Sequence, residues 1–343
     1  MCQCGLFRGY VRWKHFLILS AVTAVALILL YMAILSSVRT VDPRHPSQVA
    51  SLRVAIYAQM GNADPSIWED LFSCIFNVAS AQHDSEGEVD VFVSAVDDNP
   101  NIDMRFYKNN LSALEGVGRV EVRAVKNLGA DIGQWFQQLL DTSLPSVEHY
   151  SAVLKIHSKS HIHWRRHMTE HLCGSPCVAR EAIQTLAADR SAPVGILGPK
   201  DLVYVGANAT FTAAFCQFIQ CWPGDVGKRL LFHSVELGSM RWTWRQMKKK
   251  GAPFFELAKQ NWSMIPGTFF WIRGSGTFLS EKWFHDSVPL LMKKMTRGYR
   301  TGSSGKAEHA MERWIATLVR QAGFSVAQMG KVLDCAKIEI LTP

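Results

Sequence analysis

The sequence predicts an α/β protein with one open, mostly parallel sheet flanked by helices, preceded by a single apolar N-terminal helix. Three observations lead there. Short runs rich in Val, Ile and Ala alternate with stretches of helical periodicity, and the turns between them are short and rich in Gly, Asn, Asp and Pro. An apolar fraction of 48% over 343 residues is ample for a core.

The first apolar block, Phe16 to Leu35, carries no charge and matches the roughly 20 residues that cross a bilayer. Arg8, Arg12, Lys14 and His15 precede it, while only Arg39 and Arg44 follow, so the positive-inside bias keeps the N-terminus cytoplasmic. The run is longer than the apolar core of a cleaved signal peptide. The expected layout is a cytoplasmic tail at 1–15, a transmembrane signal anchor at 16–36, a polar stem at 37–50 and a lumenal domain at 51–343.

Within that domain Leu52 to Met60 reads as a buried strand, Gly61-Asn62 as a turn and Pro65 as the start of a helix reaching about Ala81. Val89 to Val96 is a second strand, ended by Asp97, Asp98 and Pro100. Arg119 to Val125 alternates as a third, and Asp131 to Leu140 places Ile132, Trp135, Phe136, Leu139 and Leu140 at helical spacing. Tyr150 to Ile156 is a fourth strand, Glu170 to Ala188 a helix and Val194 to Leu197 a short strand. From Val203 to Trp262 the pattern loosens into an insertion-like region, with helices around Phe211 to Ile219 and Arg229 to Lys250. Gly267 to Arg273 reads as a late strand, Lys306 to Ala322 as a helix and Gly323 to Gln328 as a closing segment.

The net charge of +8 favours anionic partners such as a nucleotide diphosphate, acidic glycans or a membrane surface, and the lumenal layout excludes nucleic acid. Asn110-Leu-Ser, Asn208-Ala-Thr and Asn261-Trp-Ser are glycosylation sequons that fit a secretory-pathway lumen. Cys74, Cys173, Cys177, Cys216, Cys221 and Cys335 make an even lumenal set in which disulfides are expected, with the pairing left open. Cys173 and Cys177 beside His167 and His171 have no second ligand pair of zinc-like spacing, so no metal site is expected from them.

Three motifs place polar groups where strands should end, which is where open α/β sheets bind ligands. In Asn127-Leu-Gly-Ala-Asp-Ile-Gly133, Gly129 and Gly133 let the backbone approach a ligand, while Asp131 either accepts from a ribose or sugar hydroxyl or caps the following helix. In Leu154-Lys-Ile-His-Ser-Lys159, His157 and Lys159 alternate to one side of a strand end, either to bind a diphosphate and stabilise leaving-group charge or as a solvated strand terminus. Arg165 is either a phosphate clamp or a helix-surface charge. In Pro266-Gly-Thr-Phe-Phe-Trp-Ile-Arg273, Trp271 or Phe269 either stacks on a sugar or packs in the core, and Arg273 is either a phosphate partner or an edge cation. A helix through Glu308, His309 and Glu312 carries acid/base groups on one face, either for an acceptor hydroxyl or as exposed charge.

Taken in order, these motifs resemble those of the rhamnan-synthesis-F-like glycosyltransferase family over roughly Arg53 to Phe324. Asn127, Gly129, Asp131, Gly133, His157, Lys159, Gly267, Phe270, Trp271, Arg273, His309, Glu312 and Arg313 fall on the family pattern, while Ala130 and Ser160 stand where it often has cations. The resemblance implies a GT-A-like single-domain fold and transfer of a sugar from a nucleotide-sugar donor to a glycan or glycoconjugate acceptor. It implies His157, Glu312 and His309 as catalytic residues. Asn127, Gly129, Asp131, Gly133, Lys159, Arg165, Trp271 and Arg273 would bind the donor. With the anchor, it implies a single-pass type II protein of the Golgi membrane, the endoplasmic reticulum being the alternative. Since no Asp-x-Asp ends the fourth strand, a divalent metal (Mn or Mg) is left open, with Asp97 or Asp98 as alternative ligands. A non-catalytic glycan- or nucleotide-binding protein is the second reading, and a sugar-phosphate hydrolase, for which no Gly-x-Ser-x-Gly motif is present, the third.

Overall fold

The computed structural model describes residues 52–61, 64–189, 193–205, 239–253, 263–297, 307–333 and 335–341. The expected tail, anchor and stem lie outside the described residues, as do the 211–219 helix, residues 229–238 of the 229–250 helix, Cys216, Cys221, Asn208 and Asn261. Among the described residues no helix is long and apolar enough to cross a membrane.

A mixed sheet of eight strands forms the centre, in the order β10-β9-β5-β8-β4-β1-β2-β3. Here β1 is Val54–Met60, β2 Val89–Val96, β3 Val117–Val125, β4 Ala152–His157, β5 Val194–Pro199, β8 Phe270–Ile272, β9 Ser325–Val332 and β10 Cys335–Leu341. The short strands β6 (Tyr204–Val205) and β7 (Ser263–Met264) pair separately. The helices are α1 Pro65–His83, α2 Met104–Ser112, α3 Ala130–Leu139, α4 Ile162–Cys173, α5 Pro176–Ala187, α6 Lys282–Met292 and α7 Ala307–Gln321, with residues 239–249 also helical.

The pairs β1–β2, β2–β3, β1–β4 and β5–β9 are parallel, whereas β8 runs antiparallel between β4 and β5, and β10 returns antiparallel on β9. From β1 the chain winds one way to β2 and β3, then crosses to β4 on the other side. The crevice between the carboxyl ends of β1 and β4 is therefore the switch point at which open α/β sheets bind ligands.

Both faces of the sheet are covered, which is why its central strands are continuously apolar. Val54, Ile56, Leu154, Ile156 and Trp271 face a core built with α1, α4 and α5. Ala55, Tyr57, Val153, Phe270 and Ile272 face a second core built with α3, α6, α7 and the 239–249 helix. The period of two along β4 thus places Lys155 and His157 on the side of α3 and α7.

Several expectations are corrected. The helix expected from Glu170 to Ala188 is two helices, α4 and α5, because Gly174-Ser175-Pro176 ends one and caps the next, with Ser175 Oγ accepting from Val178 N. The late strand shortens to three residues, since Gly267 and Thr268 form a turn at φ +82° and +57°. The closing segment is a hairpin, β9–β10. Cys74 bonds Cys173 and Cys177 bonds Cys335, which resolves the described part of the cysteine set and occupies both thiols of the Cys173-x3-Cys177 spacing.

Candidate functional site

The fourth strand builds the site. Lys155 is fully buried, and its Nζ donates to Asp131 Oδ2 at 2.6 Å and to the Thr268 carbonyl at 3.0 Å. Thr268 Oγ1 bonds the same carboxylate oxygen, and His157 Nε2 lies 3.8 Å from it. Among the described residues the hydrogen bonds to this carboxylate fall on Oδ2.

Asp131 is not the helix cap. Gly129, at φ +65°, is the N-cap of α3 and supplies no side chain, and Asp131 stands in the first turn with its carboxylate turned to β4. Burial opposes its charge, yet His157, Lys155 and the hydrogen bonds outweigh burial and hold the carboxyl well below the usual range. Burial pushes His157 down to about 4, assisted by the positive charge of Lys155 and Lys159. His157 is therefore neutral near pH 7, and Lys155 is the cation that keeps Asp131 ionised there. Burial also lowers Lys155, with the Asp131 charge opposing.

The 267–268 turn is the hub. His157 Nε2 donates to the Gly267 carbonyl at 2.6 Å, which fixes the tautomer and leaves Nδ1 as the acceptor nitrogen. Gly267 N donates to Glu312 Oε1 at 2.7 Å. Thr268, β-branched at positive φ, is a genuine backbone outlier, and Ala130 at φ +48° is a second. Both strained residues adjoin Asp131 in sequence or by hydrogen bond, and such strain persists only where the surroundings over-determine it.

From α7, Glu312 Oε2 lies 3.7 Å from His309 Nδ1, an ion-pair distance too long for a hydrogen bond. Burial raises the Glu312 carboxyl, but His309, Arg313 and the Gly267 amide outweigh it and hold the group low. The His309 side chain is 42% exposed, so it is the titratable group of this cluster most open to solvent. Glu308, expected to share that face, is buried and accepts from Thr296 N at 3.4 Å.

The remaining residues divide. Asn127 Nδ2 donates to both oxygens of Asp98 at 3.0 Å, bridging the ends of β2 and β3. Lys159 lies past the end of β4 at His157, with its Nζ 4.0 Å from the Trp164 ring centroid. Gly129 and Gly133 do not present open backbone to a ligand. An added Cβ would meet Met295 Sδ at 2.5 Å and the Leu128 carbonyl at 1.8 Å, so both are required by packing within the protein.

Three further donor-binding expectations are overturned. Arg165 is 1% exposed and clamps Asp70 Oδ2 at 2.7 Å, the Lys159 carbonyl at 2.6 Å and the Ser66 carbonyl at 3.4 Å. Trp271 is fully buried and donates to the Leu172 carbonyl at 2.9 Å, so no sugar reaches its face. Arg273 lies beyond the end of β8, past the Val153–Ile272 pair and therefore toward the amino-terminal end of β4, away from His157, with Nη1 on the Ala188 carbonyl at 3.3 Å.

Lys155, which the sequence reading does not assign, is central to the site. Its signal was present: a lysine inside the apolar run Ala152–Ile156 must be paired to be buried. At Asp131 the Lys155 ammonium already stands against Oδ2 at 2.6 Å. Asp98 is engaged by Asn127, and among the described residues no three His, Cys, Asp or Glu side chains gather as a metal site.

Comparison with protein-family models, with curated proteins and with solved structures found no match for this chain. The functional reading rests on the geometry and on the motifs.

Proposed function

We propose that this protein is a glycosyltransferase that moves a sugar from a nucleotide-sugar donor to a glycan or glycoconjugate acceptor, on a GT-A-like domain held in the Golgi membrane by one N-terminal helix. The carrying observation is the constellation of Asp131, Lys155, His157 and the Gly267–Thr268 turn at the carboxyl end of β4, beside the switch point. The order of motifs that resembles the rhamnan-synthesis-F-like family also supports the reading.

In this reading Asp131 Oδ1 accepts from a donor hydroxyl. Lys159, half-buried over Trp164, places a cation at the strand end where the departing diphosphate gathers charge. Lys155 supplies fixed positive charge beneath it, in a water-excluded setting where charge acts strongly. His157 is a neutral positioning group that holds the 267–268 turn. His309, half-exposed and set beside Glu312, takes the acceptor proton as general base, a role worth roughly 10²–10⁴ in rate. The bond broken joins the sugar's anomeric carbon to the diphosphate oxygen, and the bond formed joins that carbon to the acceptor oxygen.

The two disulfides support a lumenal domain, since such bridges persist in oxidising compartments. Calorimetric titration of the purified protein with nucleotides and nucleotide sugars tests the donor site. One nucleotide bound by wild type and at least tenfold more weakly by Lys159→Ala is expected, and equal binding by both would remove Lys159 from the site. Nucleotide-sugar binding without turnover would favour the binding-protein alternative.

A further inference from the structure

We propose that Asn110 is an N-glycosylation site whose glycan covers the exposed aromatic surface of α2; the inference rests on the lumenal placement of the domain. Asn110 lies in the last turn of α2, in the sequon Asn110-Leu-Ser112. Leu111 is fully buried and anchors the helix, while Asn110 is partly exposed and Ser112 exposed. The sequon is thus displayed on the folded surface, where the bulky, solubilising modification is found.

What the helix presents beside Asn110 is apolar. Phe106, four residues earlier and therefore a neighbour on the helix surface, is 47% exposed, and Met104 is 39% exposed. Phe106 stands on an aromatic floor, 6.2 Å from Trp68 and 5.7 Å from Tyr107 between ring centroids. The exposed apolar group beside Asn110 is thus the Phe106 ring, resting on the buried Trp68 and Tyr107. A sugar attached at Asn110 starts within reach of Phe106 and can lay its C–H face on the ring.

The bond geometry accommodates the attachment. Asn110 Nδ2 donates one of its two N–H groups to the Phe106 carbonyl at 2.8 Å. Transfer from a lipid-diphosphate oligosaccharide breaks the bond from the anomeric carbon to phosphate oxygen, forms the bond from that carbon to Nδ2 and releases one Nδ2 proton. The second N–H remains, so the bond to Phe106 survives modification.

The test uses the full chain expressed in a secretory eukaryotic cell, with glycans released enzymatically in heavy-oxygen water and the peptides mapped by mass spectrometry. Label at Asn110 that is lost in Ser112→Ala and kept in Ser112→Thr is expected. An unlabelled Asn110 in protein whose Cys74–Cys173 bridge has formed overturns the site alone. An unlabelled Asn110 with Cys74 and Cys173 both reduced overturns the lumenal placement and the site with it. For the covering role, Asn110→Gln should raise binding of an apolar fluorescent dye at least twofold, and Phe106→Ser added to it should reverse the rise. No rise overturns the covering.

Discussion

Lys155 Nζ and Asp131 Oδ2 meet at 2.6 Å, an ion pair that ties the middle of β4 to the first turn of α3 with the lysine shut off from solvent. It joins the two motifs on which the functional reading depends. Burying such a charge is expensive unless its partner stays in place.

Removing one partner should therefore be costly. Lys155→Met is expected to lower stability by about 3–5 kcal/mol, because it strands the Asp131 carboxylate. Lys155→Met combined with Asp131→Leu should recover most of that loss. Urea unfolding of the two variants checks it, and a single-variant loss under about 1 kcal/mol would show that the pair is not coupled.

His157 predicts a pH dependence. Its folded value of about 4 lies below the ordinary 6.5, so as pH falls the unfolded chain takes up the proton first. Stability is fully present above pH 6.5 and is lost between about 6.5 and 4, by about 3–4 kcal/mol at ~1.4 kcal/mol per pH unit. His171 is lowered in the same direction, chiefly by burial. The slope specific to His157 is the difference between wild type and His157→Gln, which should be flatter across that window in denaturation at stepped pH.

Two cations near the strand end separate structure from binding. Arg165→Ala should cost about 3–5 kcal/mol in stability, because its guanidinium holds the buried side of Asp70 and two carbonyls. Lys159→Ala should cost about 1 kcal/mol or less, the worth of its contact with Trp164. Thermal melts alongside nucleotide titration distinguish them; a stable Arg165→Ala protein would return that arginine to the donor site.

The two motif glycines should differ in severity. Gly133→Ala drives a methyl into the Leu128 backbone carbonyl and is expected to abolish folding. Gly129→Ala meets the flexible end of Met295 and a left-handed backbone that costs roughly 1–2 kcal/mol. Circular dichroism melts report both, and a well-folded Gly133→Ala protein would refute the packing role.

The central strands were legible because burial on both faces makes them continuous apolar runs, and β2 is expected and found at Val89–Val96. Helix α6 is not expected from the sequence, since Pro289 in its interior breaks the pattern. Nor is α2, which buries only Tyr107 and Leu111. At the site, Asp131, His157 and Glu312 come from three distant motifs and each adjoins the same Gly267–Thr268 turn. What sequence could not supply was the facing of β8. Its antiparallel insertion buries Trp271 against α4 and carries Arg273 to the amino-terminal end of β4, away from His157. Local alternation shows that residues share a side, but only the completed sheet shows which core each side meets.

The central claim is sugar transfer at the β4 strand end, and its most direct test is nucleotide release by the purified full-length protein across a panel of nucleotide sugars. Each donor would be assayed with glycan acceptors, with manganese and with chelator, in wild type and His309→Gln. The account predicts release from one donor that is raised by an acceptor, survives chelation and falls at least a hundredfold in His309→Gln. No release from any donor under any of these conditions would contradict it.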